Sequence, residues 1–468
     1  MARPAGRGPF WFPVAVVVVV LAACSSNPSP VPTGSPPIGS SVSSSPVPSG
    51  SGEPAWPTYH RDGARTGFDP SSPALGSVRQ VWTSPRLDGA VYAEPLVLGD
   101  RVFVATEGDS VYALDAATGD VAWRTNLGGP VPRSSLPCGN IDPTGITGTP
   151  AIDPAGRLLY AVDFVQPGRH ELVALDVGAG RVRFRRSADP PGLDPLLEQQ
   201  RGALAISGGR VFAAFGGLFG DCGDYHGAVV GVALDGSGPL LSYLVPSGRA
   251  AGIWGPSGPA VDPQGNLLVA TGNSDSGSDF DFGDAVIRLS PDLKEIGWFA
   301  PSNWAALDQG DIDLGSVGPA VLSNGLAFQI GKEGVGYLVR PGDLGQIGGE
   351  AFSASVCSAA FGGTASMGAF VYVPCTDGLV ALKVDSAGPS FSVAWRTPGF
   401  EAGPPIVSGG AVWSVDIGSG DLVAFDSADG HEVFRAPLGA VTHFATPAAV
   451  SGRLYVAATD RVVAFSGI

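Results

Sequence analysis

The sequence predicts an all-β fold, an eight-bladed β-propeller of four-stranded blades whose ring is closed by an N-terminal strand. Three observations predict this fold. One unit of short apolar strands separated by Gly and Asp turns recurs eight times along the chain. The C-terminal units are about 42 residues apart, and propeller blades of four strands have repeats of about 40 to 50 residues. The last unit stops after its third strand.

The repeating unit is clearest between Glu94 and Trp123. It contains a Pro-led apolar strand, a Gly-Asp turn, a second and a third apolar strand, and an Ala-x-Asp turn that leads to an aromatic residue. The residues that open the second strand of the eight units are Arg101, Arg157, Arg210, Asn266, Gly325, Ala369, Ala411 and Arg453. A structural solenoid is the main alternative to a propeller.

The two ends of the repeat region argue against a solenoid. The final unit ends with the strand Val462–Phe465 and lacks an outer strand, whereas Val78–Trp82 has the character of the outer strand Val121–Trp123. Pairing the N-terminal strand with the last unit would close the ring and remove the open edges of a β array. The sequence therefore favours a closed propeller.

The segment Ala113–Trp123 resembles the tryptophan-docking repeat of the pyrroloquinoline quinone (PQQ) propeller family, with weaker copies at Ala174–Phe184 and Ala424–Phe434. In such a repeat, Asp caps a tight turn, Gly adopts a positive φ angle and the aromatic residue packs between blades. These residues are therefore structural, and they indicate a fold without indicating an activity.

The N-terminus has the features of an export signal. Arg3 and Arg7 precede the apolar run Pro13–Ala22, which is about half the length that spans a bilayer. Leu21-Ala22-Ala23-Cys24 resembles a bacterial lipobox, which implies that residues 1–24 are a lipoprotein signal peptide and that Cys24 carries the lipid. We expect a protein anchored to the cell membrane on its extracytoplasmic side.

The composition divides the rest of the chain into two parts. Residues 25–55 contain 11 Ser and 8 Pro and no aromatic residue, which predicts a disordered tether; residues 56–468 hold all eight repeats. The net charge of −16, with only 27 Lys and Arg, makes nucleic acid and anionic membrane surfaces poor partners.

Four cysteines remain after Cys24. An even number in an exported chain favours two disulfides over metal thiolates. We expect Cys138–Cys222, since both lie in polar insertions at one end of neighbouring blades, and Cys357–Cys375. The sequence has no Cys-x-x-Cys-His, so it does not indicate a covalent c-type haem.

Three polar segments interrupt the repeats in the middle of the chain. They are Ile253–Asn273, Asp311–Ser316 and Gly331–Gly334. In order and approximate spacing they resemble the active-site segments of PQQ-dependent dehydrogenases, and the polyvinyl-alcohol dehydrogenase type is the most similar around Asp311–Tyr337.

The resemblance implies a role for each polar or aromatic residue. Trp254 is similar to the aromatic floor under the quinone, Asn273 to a Ca²⁺ ligand and Lys332 to the cation on the quinone oxygens. Asp313 is similar to the catalytic base, and Asp311 competes for that role. A flat anionic quinone needs a stacking surface and cations, Ca²⁺ prefers oxygen ligands, and alcohol oxidation is helped by a carboxylate base.

The chain also departs from the dehydrogenase pattern. It has no adjacent cysteine pair, no evident Glu ligand for Ca²⁺ and no fused haem module. Each candidate residue also has a structural interpretation: Trp254 as a core aromatic, Asn273 as a turn residue, Asp311 and Asp313 as loop caps, and Lys332 as a solvated turn lysine. The sequence leaves these interpretations open.

The sequence therefore indicates two alternative functions. The first is a PQQ- and Ca²⁺-dependent oxidoreductase that acts on an alcohol or a polymer outside the cytoplasm. The second is a non-catalytic scaffold for envelope proteins or polymers, which the resemblance to the lipoprotein of the outer-membrane β-barrel assembly machinery implies. Under the first, Trp254, Asn273, Asp313 and Lys332 must meet at one end of the channel.

Overall fold

The computed structural model describes residues 53–397 and 399–468, and these form eight sheets arranged as the blades of a propeller. The predicted signal peptide, Cys24 and residues 25–52 of the predicted tether lie outside the described residues. Within the described part, no helix is both long and apolar enough to cross a membrane. The all-β, eight-bladed prediction is confirmed.

Blades 1 to 4 follow one another along the chain, each with its first strand innermost. The strands of blade 1 are Leu96–Leu98, Arg101–Thr106, Ser110–Asp115 and Val121–Asn126. The strands of blade 2 are Ala151–Asp153, Leu158–Val165, Arg169–Asp176 and Val182–Ser187. The strands of blade 3 are Ala205–Ser207, Arg210–Gly217, Ala228–Ala233 and Leu241–Leu244, with Glu198–Gln199 added. The strands of blade 4 are Ala260–Val261, Leu267–Ala270, Val286–Leu289 and Glu295–Ala300, with Gln346–Ile347 added.

Blades 5 to 8 repeat this order, and the described helices lie between blades. The strands of blade 5 are Ala320–Val321, Ala327–Gln329, Val335–Val339 and Phe352–Ser355. The strands of blade 6 are Ala365–Met367, Phe370–Cys375, Gly378–Asp385 and Ser390–Arg396. The strands of blade 7 are Ile406–Ser408, Ala411–Asp416, Asp421–Asp426 and Glu432–Pro437. The strands of blade 8 are Ala448–Val450, Arg453–Ala458, Arg461–Ser466 and Arg79–Thr83. The helices are one α-helix, Trp304–Gly310, and two 3₁₀ turns, Arg133–Ser135 and Leu314–Ser316.

The ring closes as the sequence predicts. Arg79–Thr83 pairs antiparallel with Arg461–Ser466 and so becomes the outer strand of blade 8. The first and last strands of the ring therefore belong to one sheet, which leaves no open sheet edge at the junction.

Tryptophans of three outer strands fix blades 8, 1 and 6 to the blade that follows each of them. Trp82 donates its indole N–H to the Ala116 carbonyl at 3.1 Å, and a Cβ on Gly119 would lie 2.6 Å from the Trp82 ring. Trp123 and Trp395 make the same bond to Val177 and Ser427 at 3.1 and 3.2 Å. Trp82 thus fixes blade 8 against blade 1, which is the contact that completes the ring.

Replacing Trp82 with alanine should lower the free energy of unfolding by about 3 to 5 kcal/mol, because a buried indole and its hydrogen bond are lost at the ring junction. Chemical denaturation of the full chain measures this change. Val81, which is 37% exposed on the same strand, provides the control: Val81→Ala should cost less than about 1 kcal/mol. Equal midpoints for the two variants would contradict a special role for Trp82.

A segment before the first blade crosses the central channel. This segment, residues 55–72, is called the N-terminal plug below. Ala55–Trp56 pairs with the inner strand of blade 1, and Phe68–Asp69 runs parallel to that of blade 7. The other six blades bond the plug at or beside their inner strands, through Ile152, Leu204, Val261, Val321, Ser366 and Ser451.

Arg65 is the centre of the plug and is 1% exposed. Its guanidinium donates to the carbonyls of Pro259, Leu204 and Tyr59 and to the hydroxyl of Thr58, all at 2.8 to 3.1 Å. One side chain therefore ties the plug to blades 3 and 4 and donates to backbone carbonyls in the interior of the channel.

Candidate functional site

Trp254, Asp311, Asp313 and Lys332 line one cavity of about 540 Å³. Trp254 and Asp313 precede the inner strands of blades 4 and 5, and Lys332 follows the second strand of blade 5. Since those two strands run in opposite directions, all these positions lie at the same end of the channel. The cavity volume falls in the range of about 300 to 1,000 Å³ that is usual for small-molecule sites.

Asp313 is held by backbone and side-chain donors. Its Oδ1 accepts the backbone N–H of Asn273 at 2.8 Å, and its Oδ2 lies 2.6 Å from Lys332 Nζ. Burial raises the pKa of Asp313 above its ordinary value, and the nearby ammonium group of Lys332 only partly offsets this effect. Asp313 is therefore a stronger base than an exposed aspartate.

Lys332 links the two aspartates and the indole. Its Nζ lies 2.9 Å from Asp311 Oδ1 and 5.8 Å from the centre of the Trp254 ring. Burial alone would lower the pKa of Lys332, but Asp313 and Asp311 outweigh burial and raise it. Lys332 is therefore a positive charge at neutral pH, and both carboxylates beside it are engaged.

Asn273 lies beside this group but does not line the cavity, so the expected pocket contains Trp254, Asp313 and Lys332 without it. Its backbone N–H is the group that contacts Asp313. Gly272 makes this approach feasible, since a Cβ there would lie 2.6 Å from Asp313 Oδ1 and 3.0 Å from Trp254 Nε1. The functional roles expected for these residues stay predictions.

Asp311 differs from Asp313 in its surroundings. It caps the end of the helix Trp304–Gly310 with a left-handed φ of 53°, and its side chain is 67% exposed, against 6% for Asp313. A base in a water-excluding cavity must be shielded from solvent for its pKa to rise. The geometry thus favours Asp313 over Asp311 for that role.

A disulfide joins two loops that contribute residues to the cavity lining. Cys138 and Cys222 are joined, as are Cys357 and Cys375, so both predicted pairings are confirmed. The loop that carries Cys222 contributes the lining residues Gly217–Asp221 and Tyr225, and Asn140 comes from the loop that carries Cys138. Within this loop the hydroxyl group of Tyr225 donates a hydrogen bond to the Asp221 carboxylate at 2.8 Å.

Sequence reasoning missed five further residues of the cavity lining. They are Gln199, Arg201, Phe361, His443 and Phe444. Arg201, Phe361 and Phe444 lie four residues before the inner strands of blades 3, 6 and 8, in the same kind of segment in which Trp254 lies six residues before the inner strand of blade 4. Applying the same positional rule to every blade would have found them.

The donors of the cavity bear on whether a metal fits there. Among residues 53–397 and 399–468, the clusters of three metal-ligating side chains lie elsewhere, at Cys357, Cys375 and Asp377 and at Asp426, Asp429 and His431. In the cavity, Lys332 occupies the position between the two carboxylates. This donor set does not fit Ca²⁺, which takes six to eight oxygen ligands.

Comparisons with known proteins agree with this fold. The chain is 28% identical to the polyvinylalcohol dehydrogenase of a Pseudomonas species over 231 residues, which are 45% of this chain and 34% of that protein, so the match spans about a third of that relative. It is 35% identical over 86 residues to the outer membrane protein assembly factor BamB of Burkholderia pseudomallei, covering 18% of this chain and 23% of that one.

A solved structure gives the same result at the level of the fold. The quinohemoprotein alcohol dehydrogenase ADHIIG from Pseudomonas putida HK5 superposes with a TM-score of 0.70 at 14% identity, covering 88% of this chain and 80% of that one. A family model described as outer membrane protein assembly factor BamB matches residues 76–274 and 376–467. Because that match covers more than half of the chain, the protein belongs to this family of PQQ-like β-propeller repeats.

Proposed function

We propose that this protein is a membrane-anchored, extracytoplasmic propeller that binds a PQQ-type quinone in the cavity and oxidises an alcohol or a hydroxylated polymer. The observation that carries this proposal is the convergence of Trp254, Asp313 and Lys332 on one cavity although they are separated by up to 78 positions in the sequence. Anchoring through Cys24 is part of the proposal and rests on the sequence.

The residues present fit a planar, anionic, aromatic ligand. Trp254 offers an indole face, and Phe219, Phe361 and Phe444 add three further aromatic rings to the lining. Lys332 and Arg201 supply positive charge from different blades. Flat rings bind well between aromatic walls, and anionic substituents need cations where water is excluded.

Asp313 and Lys332 would perform the acid–base part of the oxidation. When bound, a quinone of this class accepts the hydride that leaves the alcohol carbon. Asp313 would take the proton of the alcohol hydroxyl, since its carboxylate is buried and its pKa is raised. Lys332 would hold the Asp313 carboxylate in place and keep it ionised until it accepts that proton.

A scaffold without catalysis is the second candidate. Two observations favour it: the family match to the BamB description and the absence of a Ca²⁺ donor set in the cavity among the described residues. A scaffold would not need a buried base paired with a lysine in an aromatic cavity. The two functions therefore predict different behaviour toward PQQ.

Turnover of the full chain in detergent tests the proposal. The protein is incubated with PQQ, and reduction of an artificial electron acceptor is followed with primary alcohols and with poly(vinyl alcohol). We expect alcohol-dependent reduction that requires PQQ. If there is no reduction and PQQ does not raise the melting temperature, the oxidoreductase proposal is rejected and the scaffold function is favoured.

Removing metal should have no effect on PQQ binding. EDTA treatment is expected to change the Kd for PQQ less than twofold, because Lys332 supplies the positive charge beside the quinone and the described cavity offers no Ca²⁺ donor set. Calorimetric titration before and after treatment measures this. Loss of binding in EDTA that Ca²⁺ restores would show that the donor set has been interpreted wrongly.

A further inference from the structure

Arg201 differs from every other charged residue of the cavity. Lys332 faces two carboxylates, and Asp221 accepts a hydrogen bond from Tyr225. For the guanidinium of Arg201, the described residues supply neither a hydrogen-bond acceptor nor a carboxylate within ion-pair distance; Tyr92 and Glu107 act on it only at longer range. Among the described residues it is thus a positive charge without a direct partner, which an anionic group of a cavity ligand can supply.

The surroundings fix the orientation of this guanidinium. Its central carbon lies 4.8 Å from the centre of the Phe444 ring. Phe444 has a φ of 63°, an uncommon conformation for a bulky residue that persists only when the structure around it requires it. A guanidinium on an aromatic face keeps its N–H donors free in its own plane.

Arg201 also lies where the cavity ends toward the channel axis. It lines both the cavity and a narrow gap beneath it, where Tyr59 of the N-terminal plug closes the channel. A ligand that enters from the open end therefore meets Arg201 at the bottom. Glu107, a buried acid whose charge acts on Arg201, has its pKa raised to about 7 by burial, so that it neutralises Arg201 only in part at neutral pH.

We infer that Arg201 and Phe444 form an anion subsite that binds a carboxylate of the cavity ligand. A planar carboxylate accepts two parallel hydrogen bonds from a guanidinium, a match that a lysine does not provide. This subsite lies on blades 3 and 8, apart from the Lys332 group on blade 5. The inference rests on the proposed function only for the source of the carboxylate, which belongs either to the quinone or to a substrate.

Three planar aromatic probes test the subsite in the full chain: PQQ, which carries carboxylates; 1,10-phenanthroline-5,6-dione, a quinone without them; and naphthalene-2,6-dicarboxylate, which is no quinone. Arg201→Gln should weaken binding of both carboxylate probes at least about tenfold and change the Kd for the dione less than twofold. Arg201→Lys should recover only part of the loss. Arg435→Gln, on the outer strand of blade 7, is the matched control.

The outcomes separate this inference from the proposed function. Unchanged carboxylate binding in Arg201→Gln, equal losses for all three probes, or no carboxylate binding by the native chain would overturn the inference. The native chain could bind naphthalene-2,6-dicarboxylate in an Arg201-dependent way and fail to bind PQQ. That result would support the subsite and refute the proposal that the cavity binds a quinone. Where both bind, competition between them assigns the carboxylate to the quinone, and simultaneous binding assigns it to a substrate.

Discussion

Replacing Asp313 with asparagine is expected to lower alcohol-dependent turnover at least about 100-fold while PQQ still binds, because general bases contribute about 10²- to 10⁴-fold to such reactions. The amide keeps the shape of the side chain and an oxygen that accepts the Asn273 N–H. It cannot accept the proton of the alcohol. Steady-state kinetics of the PQQ-loaded full chain measure the loss.

Two further variants make this result specific. Asp429→Asn changes an exposed aspartate on an outer turn of blade 7 and should leave turnover unchanged. Asp311→Asn removes the exposed carboxylate next to Lys332, and its effect should be much smaller than that of Asp313→Asn. A larger loss in Asp311→Asn would assign the base to Asp311 instead.

The second large effect is a loss of stability at alkaline pH. Asp109 is fully buried between blades 1 and 2, and neither of its carboxylate oxygens has a hydrogen-bond partner among the described residues. Burial, together with the nearby Asp163 and Glu107, raises the pKa of Asp109 from 3.8 to about 9. The native protein therefore holds a proton on Asp109 that the unfolded chain has already released at neutral pH.

The sign of the effect follows from this difference. Stability contributed by a carboxyl group with a raised native pKa is complete at acidic pH and is lost as pH rises through that value. Because of Asp109, the free energy of unfolding should therefore fall by about 1.4 kcal/mol per pH unit between pH 7 and 9. The pKa values of the buried His60 and His170 are lowered by burial, so above pH 7.5 both rings are essentially neutral in both states.

Asp109→Asn should make the stability profile between pH 7 and 9 less steep by up to about 1.4 kcal/mol per pH unit and raise the melting temperature at pH 9 above that of the native protein. The slope that remains comes from other buried acids such as Glu198 and Asp284, whose pKa values are raised to about 8 and about 9. Urea denaturation across this range measures the slope. Asp100→Asn, which changes an exposed carboxylate in the same blade, is the control and should keep the native slope. An Asp109→Asn slope as steep as that of the native protein would refute the account of the buried proton.

The regular part of the fold could be predicted because each blade repeats the same local physics. The Ala-x-Asp turns, the Gly at positive φ and the docking tryptophans recur in the sequence, and Trp82 revealed which strand closes the ring. The N-terminal plug could not be predicted in this way. It contacts the blades through backbone carbonyls, and Arg65 bonds carbonyls far away in the sequence, so that no periodic pattern marks it.

The candidate site was predicted in part for a similar reason. Trp254, Asp313 and Lys332 were found because their segments break the repeat, and their positions relative to the strands place them at one end of the channel. Arg201 and Phe444 lie at equivalent positions in segments that hardly interrupt the repeat. That the Arg201 guanidinium has no direct partner among the described residues depends on distances between blades, which the sequence does not contain.

Whether the cavity is a quinone site is measured by calorimetric titration with PQQ of the full-length native protein, Trp254→Ala and Lys332→Gln. We expect one PQQ bound per native chain and binding at least about tenfold weaker in each variant, since one loses the stacking face and the other the positive charge beside the quinone. No binding to the native chain, or equal affinity in all three proteins, would contradict a quinone site formed by Trp254 and Lys332.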